Sequence, residues 1–147
     1  MLQGMTDANL FSGKLVKQHL PLLTPGGGVE LPQLKRLVLP QGNLAQFHDS
    51  SEPVHYLAAL DLVSGTVRGN HHHHIKVEHV YLMRGKLQLV AEDLETGEPT
   101  ESAMEPGDLV VIQPGVAHAF RVMQEGVAIE FAPTRFDPAD IHQHALT

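Results

Sequence analysis

Short apolar runs separated by glycine- and proline-containing turns make up most of the chain from about residue 34 onward. None of these runs shows the sustained 3.6-residue spacing of a long helix. Short strands that alternate with turns in this way are typical of an all-β sandwich or barrel. The predicted strands cover residues 37–39, 54–63, 78–83, 87–94, 109–112, 118–123 and 127–131.

The N-terminal region has a different pattern. Its first residues favour a short helix within residues 6–20, with Thr6 or Asp7 as the N-cap. Pro21 and the Pro-Gly-Gly-Gly segment at 25–28 then end this helix in a loop. We therefore expect a short irregular or helical segment before the barrel.

The C-terminal tail predicts one short helical turn. Asp137 suits the N-cap, and Pro138 suits the first helical position because that position needs no backbone N–H. Together these patterns divide the chain into three parts: an N-terminal arm at 1–33, a barrel at 34–135 and a tail at 136–147.

Composition narrows the functional classes. A length of 147 residues predicts one domain with a real core, and the 42% hydrophobic content is ordinary for a globular protein. The formal net charge of −7, without a basic run, argues against a nucleic-acid partner. The sequence lacks cysteine, a signal peptide and an apolar stretch of the roughly 20 residues that cross a membrane, so we expect no membrane partner and a cytoplasmic protein.

Histidine is the unusual component, with 11 copies, of which four are consecutive at 71–74. This run lies between apolar segments, whereas a purification tag normally lies at a terminus. Because strand side chains alternate, His71 and His73 share one face, and His72 and His74 share the other. The residues before the run continue this alternation, with the polar Arg and Asn on the even-numbered face, so we assign the interior to His71 and His73. The opposite register, His72 and His74, stays open.

Two further residues complete a candidate metal site. Glu78 begins the strand after the histidines, and His118 begins a later strand with apolar neighbours on its own face. Three imidazole nitrogens and one carboxylate suit a divalent transition metal. Four protein ligands leave open coordination positions, which are typical of a reactive site rather than a purely structural one.

These residues resemble the two motifs of the cupin superfamily. The first motif matches at Gly65, His71, His73, Glu78 and Gly85. The second matches at Gly107, Gly115 and His118, with Gln113 where proline is usual and Val122 where asparagine is frequent. The resemblance covers roughly residues 54–132. It implies a double-stranded β-helix, or jelly-roll barrel, in which the four predicted ligands hold one divalent metal per chain.

A narrower resemblance concerns residues 68–78, which read Arg-Gly-Asn-His-x-His-x-x-Lys-x-Glu. This stretch is similar to a signature of cupins in capsule and nucleotide-sugar biosynthesis. Those include the carboxy-terminal domain of a capsular-sugar reductase and, more distantly, the RmlC-like sugar epimerases and ketoisomerases. The resemblance implies a carbohydrate or sugar-nucleotide-like substrate, and it supports the His71 and His73 register.

The function we expect is a metal-dependent isomerase or epimerase that acts on a small polar or carbohydrate substrate. Two alternatives stay open: a cupin that binds a metal and a small ligand without turnover, and an iron-dependent dioxygenase. The ligand set does not choose among zinc, iron, manganese and nickel. We expect a homodimer in which the N-terminal arm covers a strand edge of its own subunit or of its neighbour.

The remaining polar residues near the motifs have simpler interpretations. We expect Arg68 and Lys76 to face solvent, although either could meet a phosphate-bearing substrate at the barrel mouth. Glu130 is either an interior acid or a solvated strand residue. His142 and His144 are expected at the surface.

Overall fold

Residues 7–147, described by a computed structural model, are almost entirely β-structure, as predicted. The strands are β1 (Ala8–Leu10), β2 (Leu15–His19), β3 (Leu22–Leu23), β4 (Lys35–Leu37), β5 (Leu44–Gln46), β6 (Tyr56–Leu62), β7 (Val67–His72), β8 (Glu78–Asp93), β9 (Glu98–Met104), β10 (Asp108–Ile112), β11 (Val116–Ala132) and β12 (His142–Gln143). Two 3₁₀ turns occupy Phe11–Gly13 and Pro138–Asp140. Within these residues, no helix has the length and apolar character needed to span a bilayer.

The two longest strands, β8 and β11, organise the barrel by pairing with each other along most of their length. The first part of β8 also pairs with β10, and its second part pairs with β9. Likewise, β11 pairs first with β7 and then with β6. The sheet therefore has two halves, and their inward side chains share one buried core that includes Val80, Leu82, Leu87, Leu89, Phe120, Val122 and Ala128.

Glycine allows β8 and β11 to bend where they cross. The sequence predicted two strands on either side of Gly85 and two more on either side of Gly126, and in both cases the structure instead has one continuous strand. A Cβ atom on Gly126 would lie 1.8 Å from the carbonyl oxygen of Arg84. The turn signals were therefore real, but they mark bends that move each strand from one half of the sheet to the other.

The helix predicted within residues 6–20 is wrong. Residues 15–19 form β2, which pairs with β10, and β1 pairs with β2 in turn. Leu15 and Lys17 are buried while their neighbours are half-buried, which is the two-residue period of a strand. The edge of β10 offers unpaired backbone groups that a helix would leave uncovered. The proposed N-cap Thr6 lies outside the described residues.

The segment around β4 and β5 covers the outer face of the half that contains β10. The Phe47 ring stacks on the Tyr81 ring with centroids 4.3 Å apart, and both contact a small second core with Leu20, Leu109 and Phe131. This packing holds β8 and β11 firmly where they carry Glu78 and Glu130.

The predicted turn in the tail is confirmed. Pro138–Asp140 is a 3₁₀ turn, and the Asp137 carboxylate accepts a hydrogen bond from the Ala139 N–H at 3.0 Å. Strand β12 then pairs with β7, and His142 lies opposite His72. The tail thus returns along the strand that carries the histidine run.

A bulge in β7 depends on glycine. Gly69 has a φ of 98°, and a Cβ there would lie 2.7 Å from the carbonyl oxygen of His118. Gly65 also has a positive φ of 84°, but its Cβ would meet nothing within 4 Å. We expect Gly69→Ala to lower the free energy of unfolding by about 3 kcal/mol, because conformational strain and a backbone clash add.

The matched Gly65→Ala change, which carries only the conformational strain, is expected to cost about 1 kcal/mol. Guanidinium unfolding of both variants measures the difference. Equal losses would show that the close approach of Gly69 to β11 is unimportant.

Candidate metal centre and adjoining cavity

The structure brings the four predicted ligand residues together inside the barrel. One donor atom from each of His71, His73, Glu78 and His118 lies within 4.8 Å of the others. They come from the end of β7 and the residue after it, from the start of β8 and from β11. Because β7 and β11 are paired with His71 opposite His118, separate parts of the chain meet at one point.

His71 and His73 face the interior, although the alternation used to predict this is interrupted. The pairing of β7 with β11 shifts so that Gly69 lies opposite Ala119, and Asn70 adopts a positive φ of 58°. This bulge uses one extra residue and resets the faces of the strand. The prediction that residues 67–70 continue the alternation of the histidine run is therefore wrong. The pair selected on that basis, His71 and His73, does face inward.

Backbone contacts orient the two buried imidazoles. Nδ1 of His73 lies 2.8 Å from the Asp140 carbonyl oxygen, and Nδ1 of His118 lies 3.1 Å from the Val116 carbonyl oxygen. A carbonyl only accepts hydrogen bonds, so each Nδ1 carries a proton and donates it. In the neutral ring, the lone pair is then on Nε2.

Both Nε2 atoms point at the Glu78 carboxylate, with His73 at 3.3 Å and His118 at 3.1 Å. The His118 Nε2 atom is buried, and this short contact is not aligned as a hydrogen bond. A nitrogen lone pair repels a carboxylate oxygen unless a proton or a metal cation lies between them. The donor set therefore fits a divalent cation, and the backbone carbonyls are the supporting partners that metal-binding histidines usually have.

Charge in the cluster is balanced between Glu78 and His118. Burial alone would raise the pKa of Glu78, but the neighbouring His118 and Lys76 hold it well below its ordinary value. Burial would also lower the pKa of His118, but the Glu78 carboxylate raises it overall. Burial, followed by the charge of His118, lowers the pKa of His71 to about 4. A cation bound here would meet a neutral imidazole at His71, and it would compete with protons for the donor atoms of the cluster.

Lys76 does not face solvent, so that prediction is wrong. Its side chain is 15% exposed, and its Nζ atom lies 2.5 Å from Glu130 Oε2 and 3.6 Å from Glu78 Oε1. The ammonium also lies over the Tyr56 ring, 4.7 Å from the centroid. Burial would lower the pKa of Lys76, but the hydrogen bond to Glu130 and the charge of Glu78 raise it. Lys76 is therefore a cation held between two carboxylates.

Glu130 was predicted to be either an interior acid or a solvated strand residue, and the structure places it in the interior. Its Cα partner in β8 is Val80, which belongs to the barrel core. Register shifts between Val122 and Ala128 reset the faces of β11 before Glu130, which sequence alternation alone does not show.

A cavity opens beside the cluster and holds about 400 Å³ of non-atom space including its mouth. The enclosed part of this cavity is about 110 Å³, which is smaller than the roughly 300–1,000 Å³ of drug-sized ligand sites. Arg68 at the mouth is exposed, as predicted, and it donates a hydrogen bond to the Asp61 carbonyl at 2.8 Å. The lining residues are Leu60, Arg68, Gly69, His71, Glu78, Val80, Phe120 and Glu130. The cavity thus combines an apolar wall with a few charged groups that converge on one side.

Asp140 supports the site from the tail, and no motif or spacing in the sequence pointed to it. Its carboxylate accepts hydrogen bonds from the backbone N–H groups of His74, Ile75 and Lys76 at 2.8 to 3.2 Å. Burial would raise the pKa of this carboxyl, but these N–H groups hold it below its ordinary value. Because its carbonyl also receives the His73 proton, one residue orients the whole segment between β7 and β8.

Comparison with solved structures identifies the fold. The Mycobacterium tuberculosis rmlC epimerase superposes with a TM-score of 0.72 at 14% identity, over 95% of this chain and 72% of that one. The dTDP-4-dehydrorhamnose 3,5-epimerase from Sulfolobus tokodaii gives 0.71 at 17% identity, over 92% and 79%. The chain has the RmlC-like jelly-roll fold. A 3,4-ketoisomerase from Helicobacter canadensis is similar too, with a TM-score of 0.63 at 14% identity, over 74% of this chain and 85% of that one.

The jelly-roll prediction is therefore confirmed. No protein-family model matches the sequence, and no curated protein sequence matches it either. At these identities, the likeness describes the RmlC-like jelly roll itself. The activity of this chain is determined by the residues of its own cavity.

Proposed function

We propose that the protein is a metal-binding cupin that acts as an isomerase or epimerase on a carbohydrate of the sugar-nucleotide type. One observation carries the proposal: three imidazoles and a carboxylate converge beside a cavity that a second carboxylate, Glu130, also lines, and Lys76 is the ion-pair partner of Glu130. The similar structures include epimerases and ketoisomerases of dTDP-linked sugars, which favours the same class of substrate here.

The metal would be held by His71, His73, Glu78 and His118. When bound, it would act as a Lewis acid toward a carbonyl or hydroxyl oxygen of the substrate. Its identity among zinc, iron, manganese and nickel stays open, because all four accept nitrogen and oxygen ligands.

Glu130 is the group that we propose to move the proton. Its carboxylate faces the cavity, while the His73 and His118 rings donate to backbone carbonyls from Nδ1 and would hold the metal through Nε2. Removal of a proton next to a carbonyl needs a base within hydrogen-bond reach of that carbon. Lys76 holds the carboxylate in place, and it can stabilise the negative charge that develops on the substrate.

Arg68 is placed to contact the charged part of such a substrate. It lies at the cavity mouth, where its guanidinium donates to the Asp61 backbone carbonyl. A guanidinium binds phosphate oxygens in a two-pronged geometry. We therefore propose that a diphosphate lies along the mouth while the sugar ring enters the cavity.

Glu130→Gln tests the proton-transfer role. With 4-keto-6-deoxy sugar nucleotides in deuterated water, the metal-loaded parent should incorporate deuterium at the carbon next to the carbonyl. The variant should do so about 10²- to 10⁴-fold more slowly, because a positioned base contributes that much. Its metal content should be unchanged, since the residue is not a ligand.

Glu101→Gln is the matched control, because Glu101 is an exposed acid paired with Arg121 at the surface. Equal rates of deuterium incorporation in the parent and in Glu130→Gln would show that Glu130 does not transfer the proton. If no member of the substrate panel exchanges in the metal-loaded parent, the epimerase and isomerase function is wrong. Oxygen uptake by iron-loaded protein would then support a dioxygenase, and recovery of an unaltered bound ligand would support a binding protein.

We also propose a homodimer. Several apolar side chains are exposed on and beside β6 and β7, among them Leu57 at 69%, Val63 at 61% and Met123 at 57%. Contact with a second copy would remove this area from water. Light scattering checks the mass, and a monomer at micromolar concentration would contradict the proposal.

A further inference from the structure

A second histidine cluster lies on the outer side of β7, where the proposed function does not use it. It joins the even-numbered residues of the histidine run, His72 and His74, to His142 and His144 of the tail. The His74 and His142 rings stack with centroids 3.8 Å apart, and His72 lies 5.2 Å from His142. Pairing of β12 with β7 creates this cluster, because it sets His142 opposite His72.

An acidic residue lies next to these imidazoles. Donor atoms of His74, His142 and Asp140 all lie within 4.8 Å of one another, and His142 Nε2 is 3.8 Å from Asp140 Oδ1. Nδ1 of His72 is buried and has no hydrogen-bond partner among residues 7–147. By contrast, His144 is already paired with Glu92 at 2.7 Å, so we leave it out of the ligand set.

From this arrangement we propose that His74, His142 and Asp140 bind a second divalent transition metal on the outside of the barrel. Imidazole nitrogens with one carboxylate oxygen suit zinc, copper(II) or nickel. The carboxylate supplies negative charge beside the two rings. Exposed His74 leaves positions for water ligands, and the unpartnered His72 lies close enough to serve as an outer hydrogen-bonding group.

The two metal centres would lie back to back across one segment of chain. Alternation directs His71 and His73 inward, and it directs His72 and His74 outward. Asp140 contacts both sides, through its carbonyl to His73 and through its carboxylate toward the outer cluster. An outer cation would add a cross-link between the tail and β7, beside the pairing of β12 with β7 and the hydrogen bonds from the tail to Asn70.

Zinc content measured on untagged protein tests the second centre. After saturation with zinc and dialysis against metal-free buffer, the parent should retain two equivalents, and His142→Gln and His118→Ala one each. The double variant should retain none. His55→Gln is the control, because His55 is an exposed histidine whose ring is hydrogen-bonded to the Pro133 carbonyl, outside both histidine clusters.

Hydrogen exchange provides an independent readout. Zinc should slow exchange in residues 141–147 of the parent and of His118→Ala, but not of His142→Gln. If His142→Gln fails to fold by circular dichroism, His74→Gln replaces it, because His74 is exposed. The proposal is overturned if His142→Gln retains as much zinc as the parent, or if dialysis removes the outer zinc from the parent.

These results separate the two centres. If the inner centre binds no zinc but the outer centre does, the parent retains one equivalent of zinc. His142→Gln then loses that zinc, whereas His118→Ala keeps it. If only the inner centre binds zinc, the parent again retains one equivalent, but His118→Ala loses it and His142→Gln keeps it.

Discussion

His118→Ala is expected to weaken metal binding at the inner centre by more than about 100-fold, since even supporting partners of metal ligands contribute 10- to 100-fold. The variant loses a nitrogen donor from the most buried position of the cluster, where the side chain is 1% exposed. It also leaves the Glu78 carboxylate without the neighbour that holds its pKa low. Competition between the protein and a chromophoric chelator measures the affinity.

His79→Ala is the matched control, because it removes a half-buried imidazole that stacks on Phe131 away from the ligand cluster. Since His118→Ala also opens a cavity in the core, His71→Ala serves as a second ligand variant at a half-buried position. Parent-like affinity in both ligand variants would contradict the inner centre. Elemental analysis of the parent then identifies the metal that it carries.

Asp140→Ala is expected to lower the free energy of unfolding of the metal-free protein by about 3 kcal/mol. The change removes a charged acceptor from three backbone N–H groups, and a hydrogen bond to a charged group contributes about 1.5–3 kcal/mol. The segment between β7 and β8 would lose its main attachment to the tail. Guanidinium unfolding in the presence of chelator measures the loss without any contribution from bound metal.

Asp137→Ala is the comparison within the same turn. It removes one N-cap hydrogen bond at an exposed position, so its expected cost is about 1 kcal/mol. Asp140→Asn keeps one oxygen acceptor and should lie between the two alanine variants. A loss in Asp140→Ala no larger than in Asp137→Ala would show that the carboxylate does not organise this segment.

The same substitution should also affect the inner metal. When the tail moves, His73 loses the carbonyl that receives its Nδ1 proton, and such a partner is worth about 10- to 100-fold in metal affinity. The effect is measured in the His142→Gln background, in which the outer histidine pair is already disrupted. Unchanged affinity there would separate the stability of the segment from the orientation of His73.

Residues adjacent in sequence carried most of what could be predicted about the site. His71, His73 and Glu78 lie within one strand–turn–strand segment, so alternation and spacing nearly determine their geometry. His118 was a candidate because it begins a strand with apolar neighbours, but only the similarity to a known motif linked it to the other three ligands, because no local physical signal connects it to a position 40 residues earlier. Metal binding itself stays a prediction.

The errors arose where local rules are broken by contacts distant in sequence. The helix predicted near residue 15 gave way to a strand because the edge of β10 was available for pairing. Lys76 and Glu130 were not recognised as a pair, because the bulges in β11 change which face a residue occupies. Asp140 acts across 64 residues or more, through contacts to backbone atoms that have no signature in the sequence.

The sequence by itself determined the all-β class, the positions of most turns and the cluster of donor residues. Those features depend on the alternation of neighbouring side chains and on the conformational freedom of glycine. Only the tertiary structure decided that β8 and β11 each run through both halves of the sheet, that the tail returns along β7, and that Glu130 lines the cavity with Lys76 as its ion-pair partner. The physical reason is that strand pairing and bulges are set by whichever distant backbone groups remain free to be paired, and a local pattern does not contain that information.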